Sequence, residues 1–240
     1  MNANSGASGN PWKVRTPGKS QVHGATTETI DAVAAQGLII AAPIRFGVAQ
    51  LAQERETTHR LRYEVSIERG YARPEDMPDG LERDEYDDHA VHIVGWHGDR
   101  LAATARLVFP QPGIRLPTEV AFDLEMEPRG HVVDMGRVIV ARDAARSEAQ
   151  HRILAGLMAF CWIQVRARGF IQVCAAFASS ASIRLYRHMG FQITRLAPPR
   201  PYWGEERYPV RFDVLESAPN LIERWMSKGE PAGQGLAQTA

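Results

Sequence analysis

The sequence predicts an α/β fold with a mixed central sheet and helices on both faces. Two runs of strand-forming residues, His89 to His97 and Leu101 to Phe109, flank a turn at Gly98 and Asp99 and indicate a β-hairpin. From Val132 onward, strand and helix patterns alternate, as expected when helices cover a sheet. The 240 residues are enough for one domain with a single core.

The elements follow in order along the chain. The region from Phe46 to Glu68 predicts one or two amphipathic helices, and Gly70 to Asp88 is an acidic loop. A capping box, Ser147 to Gln150, opens a helix with a broad apolar face, and Gly169 ends it. The remaining predictions are strands at Val132 to Val140, Ile171 to Phe177, Phe191 to Leu196 and Tyr208 to Leu215, and a helix at Ser180 to Met189.

Composition limits the domain plan and the function classes. Residues 1–25 lack a periodic pattern and predict a disordered arm, residues 26–216 a single domain, and residues 217–240 a short helix and a flexible tail. Equal numbers of basic and acidic side chains, 28 of each, argue against nucleic acid as a partner. The two cysteines predict reduced thiols, and no metal-ligand spacing occurs. No apolar run reaches the ~18 residues of an integral membrane segment, so we expect a cytoplasmic protein.

The segment Ser182 to Phe191 predicts a short helix that Gly190 ends. It resembles the last conserved helix of GNAT acyltransferases, in which a tyrosine lies near the thioester sulfur. The resemblance implies a GNAT-like fold (the acyl-CoA N-acyltransferase fold) and assigns to Tyr186 the protonation of the departing thiolate. A tyrosine that only packs in the core is the alternative.

The strand from Asp134 to Val140 and the helix after it resemble the donor site of the same family. There, backbone N–H groups near Val138 would polarise the thioester carbonyl, and a helix N-terminus would hold a pyrophosphate. This chain has Ala149 and His151 where glycines are usual, which disfavours coenzyme A and favours an acyl carrier protein. The basic and polar residues expected to hold that carrier are Arg142, Arg146, Ser147 and Arg152.

A set of polar residues upstream resembles the autoinducer (acyl-homoserine lactone) synthases and the related N-acyl amino acid synthases of the FeeM type. The set comprises Arg62, Tyr71, Asp84, Asp87, Arg106, Asp134 and Arg137. Their order over most of the folded region implies an acceptor site. Independently of any family, Arg106 and Arg137 lie on predicted strands, where charge requires partners. An arginine–carboxylate lattice that ties down the acidic loop, direct contact with the acceptor, or both would explain them.

Together the residues and the resemblance predict an N-acyltransferase that moves a fatty acyl group from an acyl carrier protein thioester to an amino acid or similar small amine. Asp134 is the predicted base, and Arg62, Arg106 and Arg137 would orient the acceptor. No cofactor is expected to stay bound, and acyl-phosphopantetheine or acyl-CoA is the co-substrate. Lactone synthesis from S-adenosylmethionine, acetyl-CoA-dependent N-acetylation and a non-catalytic binding module are the alternatives. The proline-rich segment from Pro198 to Tyr208 predicts a loop, either at the substrate site or an exposed linker.

Overall fold

The computed structural model describes residues 25–142, 147–202 and 204–226, which form eight strands and six helices. The predicted arm, apart from residue 25, and the predicted tail after residue 226 lie outside the described residues. The helices are α1 (Ala25–Ile40), α2 (Ala52–Glu68), α3 (Pro117–Phe122), α4 (Ser147–Ala167), α5 (Ser180–His188) and α6 (Ala218–Trp225). The strands are β1 (Arg45–Val48), β2 (Val91–His97), β3 (Arg100–Val108), β4 (Val132–Val140), β5 (Gln172–Ala178), β6 (Ile193–Arg195), β7 (Arg200–Tyr202) and β8 (Glu205–Phe212).

The strands form a mixed sheet in the order β1-β2-β3-β4-β5-β8-β6, and β7 pairs with the outer half of β8. Neighbours are antiparallel except β4 and β5, which run parallel. The α4 crossover between β4 and β5 explains this pair, because parallel neighbours need a long connection. The predicted fold class is therefore confirmed, with the predicted β2–β3 hairpin inside it.

Helices cover both faces of the sheet. On one face α1 packs against both α4 and α6, and the main core contains Leu107 and Met135 from the sheet and Leu157 from α4. Because successive strand side chains point to opposite faces, Arg106 lies on the other face, where α2 packs against β2 and β3. The charged lattice and the apolar core thus occupy opposite sides of one strand.

Helices α1 and α3 and strand β7 were not predicted, and the helix predicted from Phe46 was wrong at its start, because Phe46 to Val48 belong to β1 and pair with β2. Helix α1 contains both polar and apolar residues without a clear amphipathic stripe, yet Ile30, Val33 and Ala34 are buried against the core. The segment expected to be a loop, Pro198 to Tyr208, instead contributes to a β7–β8 hairpin. Prolines are tolerated there because β7 is an edge strand. Helix α6 contributes Ala218 to the main core, and its Leu221 is also buried.

Strands β4 and β5 pair only at their beginnings. The ladder runs from Val132 to Met135 on β4, whereas β4 itself continues to Val140. On the other side of β4, the register with β3 shifts between Thr104 and Arg106, and Arg137 has a left-handed φ of 52°. Such a bulge bends the strand locally. The two central strands therefore part where β4 bends, and a cleft opens between them.

None of the helices among residues 25–142, 147–202 and 204–226 combines the length and the apolar character needed to cross a membrane.

Candidate active site

An ion lattice of three arginines and three carboxylates lies under the cleft, and we use that name for Arg62, Glu82, Asp84, Asp87, Arg106 and Arg137. Arg62, on α2, donates from Nε to Glu82 and from Nη1 and Nη2 to the two oxygens of Asp87, at 2.8 and 3.0 Å. This is the bidentate arrangement that suits a guanidinium and a carboxylate. Arg62 is only 1% exposed, so the pair is fully enclosed.

The other two arginines reach the same carboxylates from the sheet. Arg106, on β3, donates from Nη1 to Asp84 at 2.5 Å and to Asp87 at 2.9 Å. Arg137, at the β4 bulge, donates to Glu82 at 2.8 Å and to Asp84 at 3.0 Å. The lattice therefore ties the acidic loop to α2, β3 and β4. This is the arginine–carboxylate lattice that the sequence offered as one explanation for charges on strands.

Burial and opposite charge compete for the pKa values in the lattice. Burial by itself would raise the pKa of Glu82, but the charges of Arg137 and Arg62 outweigh it and the pKa is lowered. For Asp87, burial by itself would also raise the pKa. Its hydrogen bonds and charge pairing with Arg62, together with the charge of Arg106, outweigh burial and lower the pKa well below its usual range. Both groups are therefore carboxylates at neutral pH, and the three positive charges meet three negative ones.

Glu82 is the lattice member that sequence reasoning missed. It is 2% exposed and bridges Arg62 and Arg137. The loop from Gly70 to Asp88 contains many acidic residues, and only the spatial position of its backbone selects Glu82, whose N–H donates to the His59 carbonyl. No sequence pattern distinguished it from its acidic neighbours.

The cleft between β4 and β5 has a volume of about 360 Å³. Its lining includes five predicted site residues: Arg62, Tyr71, Arg137, Val138 and Tyr186. Beyond Met135 the β4 edge that faces the cleft is no longer paired with β5. The residues from Gly136 to Ile139 line this stretch, which includes Val138, where carbonyl polarisation was predicted.

Tyr186 closes the opposite wall of the cleft. It lies on α5, which Ser179 caps by accepting a hydrogen bond from the Ser182 N–H at 3.2 Å. Burial raises the pKa of the Tyr186 hydroxyl to about 12. The ring packs edge-on against Phe212. Within the described part of the chain this hydroxyl has no hydrogen-bond partner, so it is available to a ligand.

A second polar group, which we call the rim, lines the outer end of the cleft and consists of Arg69, Tyr71, Glu205 and Arg207. The Tyr71 hydroxyl donates to Glu205 Oε1 at 3.0 Å, and Arg207 Nη2 lies 2.6 Å from the same oxygen. The guanidinium groups of Arg69 and Arg207 lie 6.0 and 5.0 Å from the centre of the Tyr71 ring. The β7–β8 hairpin thus places charge beside the end of α2.

Asp134 does not lie in the cleft. It is 1% exposed, is absent from the cleft lining, and accepts hydrogen bonds from the Thr118 N–H at 2.8 Å and the Thr118 hydroxyl at 2.5 Å. A base must reach the proton that it removes. The position of Asp134 therefore does not fit the predicted role, and it instead joins α3 to β4.

The structure divides the remaining predicted residues. Asp84, Asp87 and Arg106 belong to the lattice but do not line the cleft, so they hold other side chains in place and do not themselves face a ligand there. Arg142 and Arg152 are exposed near the end of β4, and Gln150 on α4 donates to the Arg142 carbonyl at 3.1 Å. Arg142 also pairs with Glu68. Arg146 and the side chain of Ser147 lie outside the described residues.

His59, Asp87 and His92 have ligand atoms within 4.8 Å of one another. Both oxygens of Asp87 already accept hydrogen bonds from Arg62, and Arg106 shares one of them. A divalent cation would have to displace these guanidinium groups. We therefore interpret His59, Asp87 and His92 as a lattice carboxylate with two neighbouring histidines, and not as a metal site.

Comparison with known proteins supports the fold described above. Residues 61–155 match the family described as Acetyltransferase (GNAT) domain. The solved structure of the acyl-homoserine lactone synthase LasI superimposes with a TM-score of 0.56 and 14% identity, over 71% of this chain and 89% of LasI. No curated protein matches the chain by sequence.

Two further solved structures differ in their described activities. BjaI, a CoA-dependent acyl-homoserine lactone synthase solved with SAM and isopentyl-CoA, has a TM-score of 0.56 and 23% identity, over 79% of this chain and 90% of BjaI. FeeM, an N-acyl amino acid synthase from uncultured soil microbes, has a TM-score of 0.55 and 15% identity, over 77% of this chain and 96% of FeeM. Residues 61–155 therefore resemble a GNAT domain, and the chain has the fold that acyl-homoserine lactone synthases and FeeM share.

Proposed function

We propose that this protein is an N-acyltransferase that moves a fatty acyl group from an acyl carrier protein thioester to the amine of an amino acid or a similar small metabolite. The single observation that carries the proposal is the cleft at the parting of β4 and β5. It combines an unpaired backbone edge, a buried tyrosine hydroxyl and charged side chains. Thioester aminolysis needs groups of these kinds.

The donor carbonyl lies against the β4 edge in this proposal. Backbone N–H groups near Val138 would stabilise the oxyanion, and the Tyr186 hydroxyl would donate a hydrogen bond to the departing sulfur. A thiol with a pKa of ~8.5 leaves readily, whereas burial raises the pKa of Tyr186 to about 12. Tyr186 is therefore expected to give modest assistance.

An apolar cavity of about 70 Å³ lies near the cleft; it has room for a few methylene groups, and a fatty acyl chain would have to widen it. It lies between the sheet and helices α1, α4 and α6, and its lining includes Met158, Trp162 and Phe212. Met135 lines both this cavity and the cleft. Since a methionine side chain adapts easily to its neighbours, Met135 can turn aside to admit a chain from the thioester.

The sequence at the start of α4 supports a carrier protein over free coenzyme A. Ala149 and His151 stand where a pyrophosphate-binding turn usually has glycine. Exposed Arg142 and Arg152 lie at the same end of the sheet and suit an acidic carrier surface.

Differences from the lactone synthases favour an amino acid over S-adenosylmethionine. Ser66, Tyr71, Asp134 and Gly136 stand where those synthases usually have Phe, Trp, Glu and Ser. Ser66 and Tyr71 line the cleft, and the Ser66 hydroxyl donates to the Arg62 carbonyl at 2.8 Å. The acceptor pocket thus has less aromatic surface for an adenosyl group.

The direct test is product identification. Purified protein is incubated with decanoyl-carrier protein and the twenty L-amino acids, or with S-adenosylmethionine, and the extracts are analysed by mass spectrometry. We expect an N-decanoyl amino acid. A decanoyl-homoserine lactone would favour the lactone alternative, and acetylated amines formed only from acetyl-CoA would favour the acetyltransferase. No product from any pair would favour the binding module.

The donor is tested separately by charge reversal. Arg152→Glu is expected to lower kcat/KM for decanoyl-carrier protein roughly tenfold, because like charges would then face each other. The matched control is Arg129→Glu, which changes an exposed arginine before the start of β4 and should leave the rate unchanged. A wild-type protein that uses decanoyl-CoA better than the carrier thioester would contradict the donor assignment.

A further inference from the structure

One carboxylate in the lining of the cleft does not belong to the ion lattice. Glu82 reaches the cleft, but its oxygens accept hydrogen bonds from Arg62 and Arg137. Asp84 and Asp87 do not line the cleft, and Asp134 is enclosed by Thr118. The remaining carboxylate in the lining is Glu205, which starts β8.

Glu205 is both held in place and accessible. The Tyr71 hydroxyl and Arg207 contact one oxygen, Oε1, at 3.0 and 2.6 Å. The other oxygen, Oε2, accepts no hydrogen bond from any residue that the structure describes. The side chain is 38% exposed, compared with 2% for Glu82. A fixed carboxylate with one free oxygen at a ligand-sized cleft is suited to receive a proton.

The backbone turn at Gly204 also fixes the position of Glu205. Gly204 has a left-handed φ of 71° in the turn before β8, and an added Cβ there would lie 3.3 Å from the Gly70 carbonyl oxygen and 3.4 Å from the Tyr71 ring. The β7–β8 turn is therefore in close contact with the residues after α2. This contact brings Glu205 to Tyr71 across 134 positions of sequence.

We propose that Glu205 is a catalytic residue that receives the acceptor amine and takes its proton as the amide bond forms. Tyr71 and Arg207 act as positioning residues that aim its free oxygen into the cleft. This inference rests on the proposed N-acyltransferase function and replaces Asp134 as the base.

The proton balance of the step is complete. The neutral amine nitrogen bonds to the thioester carbon, the C–S bond breaks, and its electron pair goes to sulfur. The nitrogen gives one proton to Glu205, and the thiolate takes one from Tyr186 or from water. Exchange with solvent then restores both side chains, and no oxidant or further co-reactant is needed.

The chain offers a matched control in the next residue. Glu206 is exposed, pairs across the hairpin with Pro201, and does not line the cleft. Alternation along the strand directs it away from Glu205. Glu205→Gln and Glu206→Gln therefore make the same chemical change one position apart.

The experiment measures acyl transfer from decanoyl-carrier protein to the amino acid that gives the most product. We expect Glu205→Gln to lower kcat at pH 7 by about 100-fold or more, with the donor KM unchanged. The deficit should shrink at pH 9 to 10, where hydroxide in solution can take the proton in place of the missing carboxylate. Glu205→Asp should restore part of the rate, and Tyr71→Phe should lose less than Glu205→Gln. Glu206→Gln should match the wild type.

A Glu205→Gln rate equal to the wild-type rate at pH 7, or a deficit that does not change with pH, would overturn the assignment. If the wild type acylates no amine, the proposed function fails instead. The inference is then decided by NMR saturation-transfer binding of the twenty L-amino acids. Equal binding to the wild type and to Glu205→Gln would overturn the part of the inference in which Glu205 receives the amine, and binding lost only in the variant would support that part.

Discussion

The ion lattice and the rim are built from the same groups, arginines and carboxylates, and differ in their access to water. Arg62 and Glu82 in the lattice are almost fully buried, whereas Glu205 in the rim is 38% exposed. Burying a charge is costly unless its partners remain, so every lattice member depends on the others. An exposed pair contributes little to stability because water screens it. Burial therefore suits the lattice to hold the acidic loop in place, whereas access to water suits the rim to the proposed proton transfer.

The largest expected effect tests the structural half of this comparison. Asp87→Ala should lower the free energy of unfolding by about 3–5 kcal/mol, because Arg62 and Arg106 would lose a buried partner. Urea unfolding measures this. Asp88→Ala, an exposed neighbour, is the control and should change stability by less than about 0.5 kcal/mol. Equal effects in the two variants would contradict the structural role of the lattice.

Acid should weaken the lattice in a defined pH window. The pKa values of Asp87 and Glu82 are lowered in the folded protein, so the unfolded chain binds more protons as the pH falls. The stabilisation is complete above the unfolded values of about 4 and is lost as the pH falls below them. Urea unfolding between pH 7 and pH 3 should therefore show a steeper loss for the wild type than for Asp87→Asn. Parallel curves would show that Asp87 is not the group responsible.

Tyr186 lies in the cleft but belongs to neither charged group. Tyr186→Phe should lower kcat by roughly tenfold, about 1.4 kcal/mol, because a thiolate needs little help to leave. The ring should keep its edge-on contact with Phe212, so stability should hardly change. Steady-state kinetics and thermal unfolding of the same sample separate the two effects. An unchanged kcat would favour a tyrosine that only packs.

The smallest expected effect tests the rim. Glu205→Ala should lower the free energy of unfolding by less than about 1 kcal/mol, since it removes one partially exposed pair and one hydrogen bond. Urea unfolding beside Asp87→Ala gives the comparison directly. A loss as large as that of Asp87→Ala would place Glu205 among the structural residues and remove the contrast between rim and lattice.

Local patterns were sufficient where a residue's role depends on its near neighbours in sequence. The β4 strand, the β2–β3 hairpin and the helices α4 and α5 follow from periodicity, turns and caps, which act over a few residues. Helix α1 and strand β1 were missed because their burial depends on contacts with α4 and β2, far along the chain. The β7–β8 hairpin was missed because its prolines indicate a loop, and an edge strand tolerates them.

The residues of the candidate site also divide into those that the sequence indicated and those that depend on distant contacts. By itself the sequence determined the fold class and required partners for Arg106 and Arg137, because charges on predicted strands need them. The other residues that converge on the cleft and lattice were implied by the family resemblance. Only the tertiary structure selected Glu82 from an acidic loop, turned Asp134 toward Thr118, and brought Glu205 to Tyr71. The physical reason is that the reach of a side chain and its access to water depend on how distant segments pack, which no local pattern specifies.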